Sequence, residues 1–177
     1  GLEKQLVHAN FDILTANYDF SETILKNRFK NYRIFKKGRY RIGVFGLGIE
    51  LKGLVPNRLY GNTKYNDPVL VANEIAAWLK RRKKCNLVVC LSHLGYTYKS
   101  DKISDLRLAA QSRNIDLILG GHTHTFLEQP TAVLNADSKV INISQTGWAG
   151  INLGKIDYEE DTFSTSFSPR FSMQKNC

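Results

Sequence analysis

The chain has 177 residues, the size of one ordinary domain, and 42% of them are hydrophobic, which provides for a core and excludes wholesale disorder. No apolar run approaches the roughly 20 residues that a membrane span needs, and the opening Gly1-Leu2-Glu3-Lys4 lacks the basic stretch and apolar run of a signal peptide. The net charge is +9, and three cysteines (Cys85, Cys90, Cys177) are too few for a disulfide framework and wrongly spaced for a Cys-x-x-Cys motif. The chain does not begin with Met, so the first residues say nothing about compartment and more chain is expected upstream.

Residues 2–9 read as the end of a helix and residues 11–16 as a buried strand. Residues 32–36 and 40–47 are β-rich, with Lys37-Gly38 between them as a hairpin signal. Eight of the sixteen residues from Lys26 to Arg41 are basic and none is acidic. Such a stretch could draw phosphates or nucleic acid, with Phe29, Tyr32, Phe35 and Tyr40 stacking on bases. Its charges alternate with Phe29, Tyr32 and Ile34, however, which fits a half-exposed ribbon with a solvated face. The solvated reading is preferred, and nucleic acid is not expected as a partner.

Residues 49–66 form a long loop rich in Gly, Pro and Asn. Asp67-Pro68 then opens a helix, with Asp at the N-cap and Pro at the first helical position. Leu70, Ile75, Trp78 and Leu79 are expected on its apolar face, and the run Lys80-Arg81-Arg82-Lys83-Lys84 closes it, cations suiting the C-terminal end of the dipole. Residues 86–91 are continuously apolar, as in a strand covered on both faces, and Cys90 reads as core. A second helix spans residues 104–113, and residues 116–119 form another short buried strand. Strands follow at 139–143 and 151–158, with a last one near 162–167 and a frayed tail beyond. The order predicts a layered α/β fold whose last part is antiparallel.

Three of the four histidines stand directly after predicted buried strands: His93 after Leu-Val-Val-Cys-Leu-Ser, and His122 and His124 after Asp-Leu-Ile-Leu-Gly-Gly. In open α/β sheets, sites form beyond the carboxyl ends of the strands. One strand-helix-strand unit separates His93 from His122, so the two loops are expected side by side at one edge of the sheet. Neutral imidazole is a common ligand for divalent metals. Alternate residues of an extended turn project to opposite sides, so His122 and His124 could address two ions, or an ion and a substrate. Gly120 and Gly121 are expected to let the backbone turn sharply and come close to the site. The opposing reading, that each imidazole is an ordinary structural side chain, would suit one lone His better than three at strand ends. His8 lies outside any motif. Ser92 and His93 are not a catalytic pair, because neighbours on a strand point to opposite faces. Gly46-Leu47-Gly48 starts a dinucleotide fingerprint, but Leu51 stands where the third glycine belongs and no helix follows.

These segments also resemble a known family. Val88-Val89-Cys90-Leu91-Ser92-His93-Leu94-Gly95 is similar to the "apolar strand, Ser-His-x-Gly" motif of calcineurin-like metallophosphoesterases, and Asp116 through His124 to their "Asp-apolar-apolar, Gly-Gly-His-x-His" motif. Ile42 through Leu47 resembles the family's "Ile-Gly-apolar-apolar-Gly" strand. Gln145 through Gly154 and Asn10 through Asn17 resemble segments of its bacterial 5'-nucleotidase and 2',3'-cyclic phosphodiesterase branch. The likeness covers roughly residues 1–160, expected to be the C-terminal portion of one metallophosphoesterase domain, with 161–177 as last strand and tail.

The resemblance implies an α/β/β/α sandwich with a mixed sheet and antiparallel C-terminal strands. It implies two divalent ions (Mn, Zn, Co, Mg or Fe), His93 and His122 binding one and His124 the other, and a nucleotide or other phosphate ester as substrate. It also implies an exported protein, periplasmic or on the cell surface. The family's Asp-x-His, Gly-Asp-x-x-Asp and Gly-Asn-His-Glu/Asp motifs, all earlier in its members, are absent here. The chain is therefore expected to begin just after the Gly-Asn-His segment. The bridging carboxylate, the Asn ligand and the catalytic His would lie upstream, the missing half of the domain would be an obligatory partner, and the 177 residues alone would hold metal at partial occupancy at most and be inactive. The chain also ends before the branch's nucleoside-gripping domain would fit.

Overall fold

The computed structural model of the chain describes residues 1–159 and 162–169. The expected frayed tail falls mostly on residues 170–177, outside the described residues. A six-stranded mixed sheet organises the rest, in the order β2-β3-β5-β6-β8-β7. Its strands are β2 (Tyr32–Lys37), β3 (Tyr40–Leu47), β5 (Leu87–Ser92), β6 (Leu117–Leu119), β7 (Thr131–Leu134) and β8 (Val140–Ser144). The four inner strands run parallel, and β2 and β7 are antiparallel edges. Short β1 (Tyr18–Asp19) and β4 (Lys64–Tyr65) pair with each other, and β9 (Asn152–Glu159) and β10 (Thr162–Pro169) form a hairpin.

One face of the sheet is covered by α3 (Pro68–Ala77), the π-turn Trp78–Arg82 that continues it, and α4 (Asp105–Gln111). Phe45, Val88, Cys90, Ile118, Ile141 and Ile143 meet Ala72, Ala76, Leu79, Leu108 and Ala109 there, and all are fully buried. On the other face, Leu87, Val89 and Leu117 lie under Ile156, Tyr158 and Phe163 of the hairpin. Two-sided burial explains why β5 reads as a continuous apolar run. The cover stops short of Leu91, which is 40% exposed and sits at the carboxyl end of the strand.

Asp67 caps α3 as its sequence implies, accepting the backbone N–H groups of Val69 and Leu70 at 2.8 and 3.0 Å, with Pro68 at the first position. A cap of this kind contributes about 1 kcal/mol. The buried face differs from the expected one. Leu70 and Trp78 are exposed, and the small Ala72 and Ala76 pack on the sheet. Of the expected apolar face, Leu79 is fully buried and Ile75 packs against the core, as do Val69 and Val71. At its end, the wider turn, in which the Lys83 N–H reaches the Trp78 carbonyl at 3.1 Å, accompanies the burial of Leu79.

Three further expectations need correcting. Residues 11–16 form no strand, only the single bridge Leu14↔Lys30, and Phe11 is exposed. The loop at 49–66 carries a short α2 (Asn57–Tyr60) as well as β4. The edge strand β7 is not apparent in its four-residue sequence, Thr-Ala-Val-Leu, and α1 (Leu2–Leu6) is shorter than the predicted helix. No described helix is long and apolar enough to cross a membrane.

Candidate metal centre

The two histidine loops leave adjacent parallel strands: Leu91 of β5 pairs with Leu119 of β6. His93 stands one residue beyond β5, and its backbone N–H continues the ladder to the Leu47 carbonyl of β3 at 2.8 Å. His122 stands three residues beyond β6. The two imidazoles meet edge to face, ring centroids 5.1 Å apart and planes at 71°. His124, exposed, stacks instead on the half-exposed Trp148, with centroids 5.9 Å apart and planes at 14°. The structure thus brings His93 and His122 together and aligns His124 with a tryptophan beside them. Among the described residues no three His, Cys, Asp or Glu side chains are grouped closely enough to hold a metal by themselves. His8 sits exposed in the turn after α1.

The sharp turn is made by the histidines and not by the glycines. His122 has φ of +71° and His124 of +55°, whereas Gly120 and Gly121 do not take positive φ. The Thr123 N–H bonds the Gly121 carbonyl at 2.9 Å and closes a three-residue turn around His122. Left-handed φ at a side-chain-bearing residue costs on the order of 1–3 kcal/mol, and such strain gathers at functional sites. The glycines serve by lacking Cβ. A Cβ on Gly121 would lie 3.2 Å from His93 Nδ1, and one on Gly120 would lie 2.3 Å from the Asp105 carboxyl.

Polar supports hold the strained turn. The buried Gln145, just beyond β8, donates from Nε2 to the Gly121 carbonyl (3.1 Å) and accepts from the Thr125 N–H at Oε1 (2.5 Å). The Thr123 hydroxyl accepts the Tyr96 N–H at 2.9 Å, tying the His122 loop to the His93 loop. Beneath both lies Asp105, fully buried at the first position of α4. Its Oδ1 accepts the Ser92 hydroxyl at 2.5 Å, while Oδ2 has no hydrogen-bond partner. Burial pushes this carboxyl up to about 7, against a smaller opposing pull from Ser92. Asp116, part of the quoted motif, is elsewhere. It lies at the start of β6, where it accepts the Val88 N–H and pairs with Lys80, so it orders the strand and not the site.

Electrostatics favour neutral imidazoles. Partial burial, then the nearby His124, lowers the His93 pKa, and burial, then His93, Lys102 and His124, lowers that of His122. Neutral imidazole is the ligating form. Two such rings, facing each other at strand ends beside a glycine that keeps His93 Nδ1 clear, fit part of a divalent-metal site.

Sequence reading expected all three histidines to converge and the two glycines to make the turn; the structure brings His93 and His122 together, sets His124 on Trp148, and adds Asp105 and Gln145 as neighbours that were not expected. Asp105 follows a helix N-cap, where an acid ordinarily complements the dipole, and that local reason hid its long-range contact.

The family model described as calcineurin-like phosphoesterase matches residues 5–126. Among similar proteins, a 5'-nucleotidase of Vibrio cholerae is 32% identical over 129 residues, spanning 69% of this chain and 23% of that protein. A trifunctional nucleotide phosphoesterase of Bacillus subtilis is 28% identical over 170 residues, spanning 85% of this chain and 11% of that protein. Among solved structures, a 5'-nucleotidase precursor of Thermus thermophilus superposes with a TM-score of 0.80 at 26% identity, over 95% of this chain and 35% of that one. The chain thus spans about a quarter or less of the length of these two curated relatives.

Proposed function

From the premise that the chain belongs to the calcineurin-like phosphoesterase family, we propose that its protein is a metal-dependent hydrolase of phosphate esters, with 5'-nucleotides as its substrate class. The observation that carries the reading is the His93–His122 pair: 5.1 Å ring to ring at the ends of adjacent parallel strands, both with lowered pKa, and His122 on a left-handed turn. In the proposal His93 and His122 hold one divalent ion, and His124 addresses a second. The chemistry such ions would supply, when bound, is polarisation of a phosphoryl oxygen and an acidified water.

The chain's own groups have narrower tasks. Gly121 has no Cβ to crowd His93 Nδ1, Gln145 fixes the backbone on both sides of His122, and burial lowers the pKa of His93 and of His122, which favours their ligating form. Three imidazoles with no ligating carboxylate make only part of a two-metal site, since carboxylates balance the charge of such ions. We therefore infer that the 177 residues alone are inactive and that the remaining ligands, and the group that protonates the leaving oxygen, come from other parts of the full-length protein. The name of the Thermus relative, a precursor, supports an exported protein.

The test is hydrolysis of nucleoside monophosphates and 2',3'-cyclic nucleotides by the full-length protein with Mn²⁺, Zn²⁺, Co²⁺ or Mg²⁺. Activity is expected only with metal and is expected to vanish in His122→Ala. An intact protein inactive with every one of these ions would refute the proposal, and turnover by the 177 residues alone would refute the partial-site inference.

A further inference from the structure

We propose that Asp105 is a positioning residue for the histidine pair: buried beneath the β5 and β6 loops, its side chain fixes the spacing between His93 and His122.

The helix does not need it as a cap. Ser104 already caps α4, accepting the Arg107 N–H. An acid in a first turn ordinarily sits in solvent near the helix dipole, yet Asp105 is fully buried and one carboxyl oxygen has no hydrogen-bond partner. Burying a carboxyl that is half satisfied is unfavourable, and an apolar side chain would fill the space more stably. Its contacts show what the carboxyl does there.

Asp105 holds the His93 loop by one side-chain bond, relayed onward by Ser92, and one backbone bond. Oδ1 accepts the Ser92 hydroxyl at 2.5 Å. The same hydroxyl accepts the Leu94 N–H at 3.2 Å, so His93 is bracketed by the residues on both sides of it. The Asp105 backbone N–H bonds the Gly95 carbonyl at 2.8 Å. On the other side, Oδ2 faces Gly120, two residues before His122, so closely that a Cβ at Gly120 would lie 2.3 Å from Oδ2 and 2.9 Å from Gln145 Nε2. Asp105 and Gln145 therefore flank one glycine. Gln145 continues to the Gly121 carbonyl, and Asp105 to Ser92. The single carboxyl is the shared wall between the strand ends that carry the two imidazoles. Small displacements of such walls change metal affinity, because groups behind the ligands set ligand orientation.

The proposal uses the metal reading only for one of its two readouts, and the test separates them. In the metal-free full-length protein, the His93–His122 ring contact is followed by proton NMR of the imidazoles. It is expected in the wild type and in Asp105→Asn, whose side-chain carbonyl can still accept the Ser92 hydroxyl, and it is expected to be lost in Asp105→Ala. Titration with Mn²⁺ is expected to show affinity falling about 10–100-fold in Asp105→Ala and returning close to wild type in Asp105→Asn. Circular dichroism checks folding. Should Asp105→Ala fail to fold, Ser92→Ala, which removes only the hydroxyl, must weaken the ring contact and the affinity in the same direction. An unchanged contact and affinity in a folded alanine variant would overturn the proposal, as would equal losses in Asp105→Asn and Asp105→Ala. A wild type that binds no Mn²⁺ would refute the metal reading while the metal-free ring contact still decides the role of Asp105.

Discussion

The histidine edge and the basic ribbon are both rich in residues that suggest function, and they are built in opposite ways. At the histidine edge, His93 and His124 reach solvent and His122 is half-buried, two non-glycine residues take left-handed backbone, and the buried Asp105 and Gln145 brace the loops from below. On the ribbon β2–β3, the cations lie mostly in solvent. Lys30 and Arg33 pair with Asp12, which is thereby held below the usual carboxylate range, and Tyr32 and Ile34 turn inward against the core. Functional chemistry differs from surface solvation less in the residue types present than in whether the fold has committed strain and buried polar groups to holding them.

The sharpest break between the two regions is a pair of substitutions in the full-length protein. His122→Ala is expected to reduce phosphoesterase turnover to background, beyond the roughly 10–100-fold that groups behind metal ligands carry. Arg33→Ala on the ribbon is expected to leave turnover unchanged. Equal effects from both, measured as kcat/KM on a nucleoside monophosphate, would erase the distinction.

The second expected effect is on stability. The Asp105 carboxyl is raised from its ordinary 3.8 to about 7 in the folded chain, so folding favours its protonated form. Stability from this group is complete below pH 4 and is lost as pH rises towards 7, by on the order of 4 kcal/mol over that range. Asp105→Asn has no such proton to lose. Thermal unfolding of the metal-free protein at pH 5 and pH 8 should therefore show the variant gaining on the wild type at the higher pH. A gain at the lower pH would reverse the sign and sink the account.

Smaller is the effect of Gln145→Ala. It leaves the Thr125 N–H without its partner, at a cost of about 1–3 kcal/mol, and removes one of the two hydrogen bonds to the Gly121 carbonyl, which keeps the Thr123 N–H. Chemical denaturation should register this, with Mn²⁺ affinity falling as well. Smallest is binding of single-stranded nucleic acid by segment 26–41. We expect weak association only, and tight binding with a steep salt slope at physiological ionic strength would restore the ribbon as a functional surface.

Legibility in the sequence follows the same divide. Elements set by local chemistry were readable: Asp67-Pro68 at the head of α3, the apolar runs of β5 and β6, and the β2–β3 hairpin around Lys37-Gly38. Elements set by distant partners were not. β7 is a strand because it pairs with β8, and nothing in Thr131 to Leu134 announces that. Residues 11–16 look as apolar as a strand but find a single bridge. Leu70 and Trp78 fit a helical apolar stripe with Ile75 and Leu79, yet only the latter two meet the core, beside Ala72 and Ala76. The meeting of His93 and His122 was readable because strand ends are local, and their braces were missed because Ser92 reaches Asp105 across thirteen residues and Gln145 reaches Gly121 across twenty-four.

The left-handed pair His122 and His124 bears on protein engineering. An eight-residue peptide copied from this loop into another scaffold would relax, because nothing in its own sequence opposes the ordinary right-handed conformation. A working transplant must carry its distant supports, namely Gln145 from just beyond β8 and the Tyr96 backbone from the neighbouring turn. The transferable unit is therefore a discontinuous cassette of three chain segments, and a scaffold that accepts all three at once is the minimum host for this chemistry.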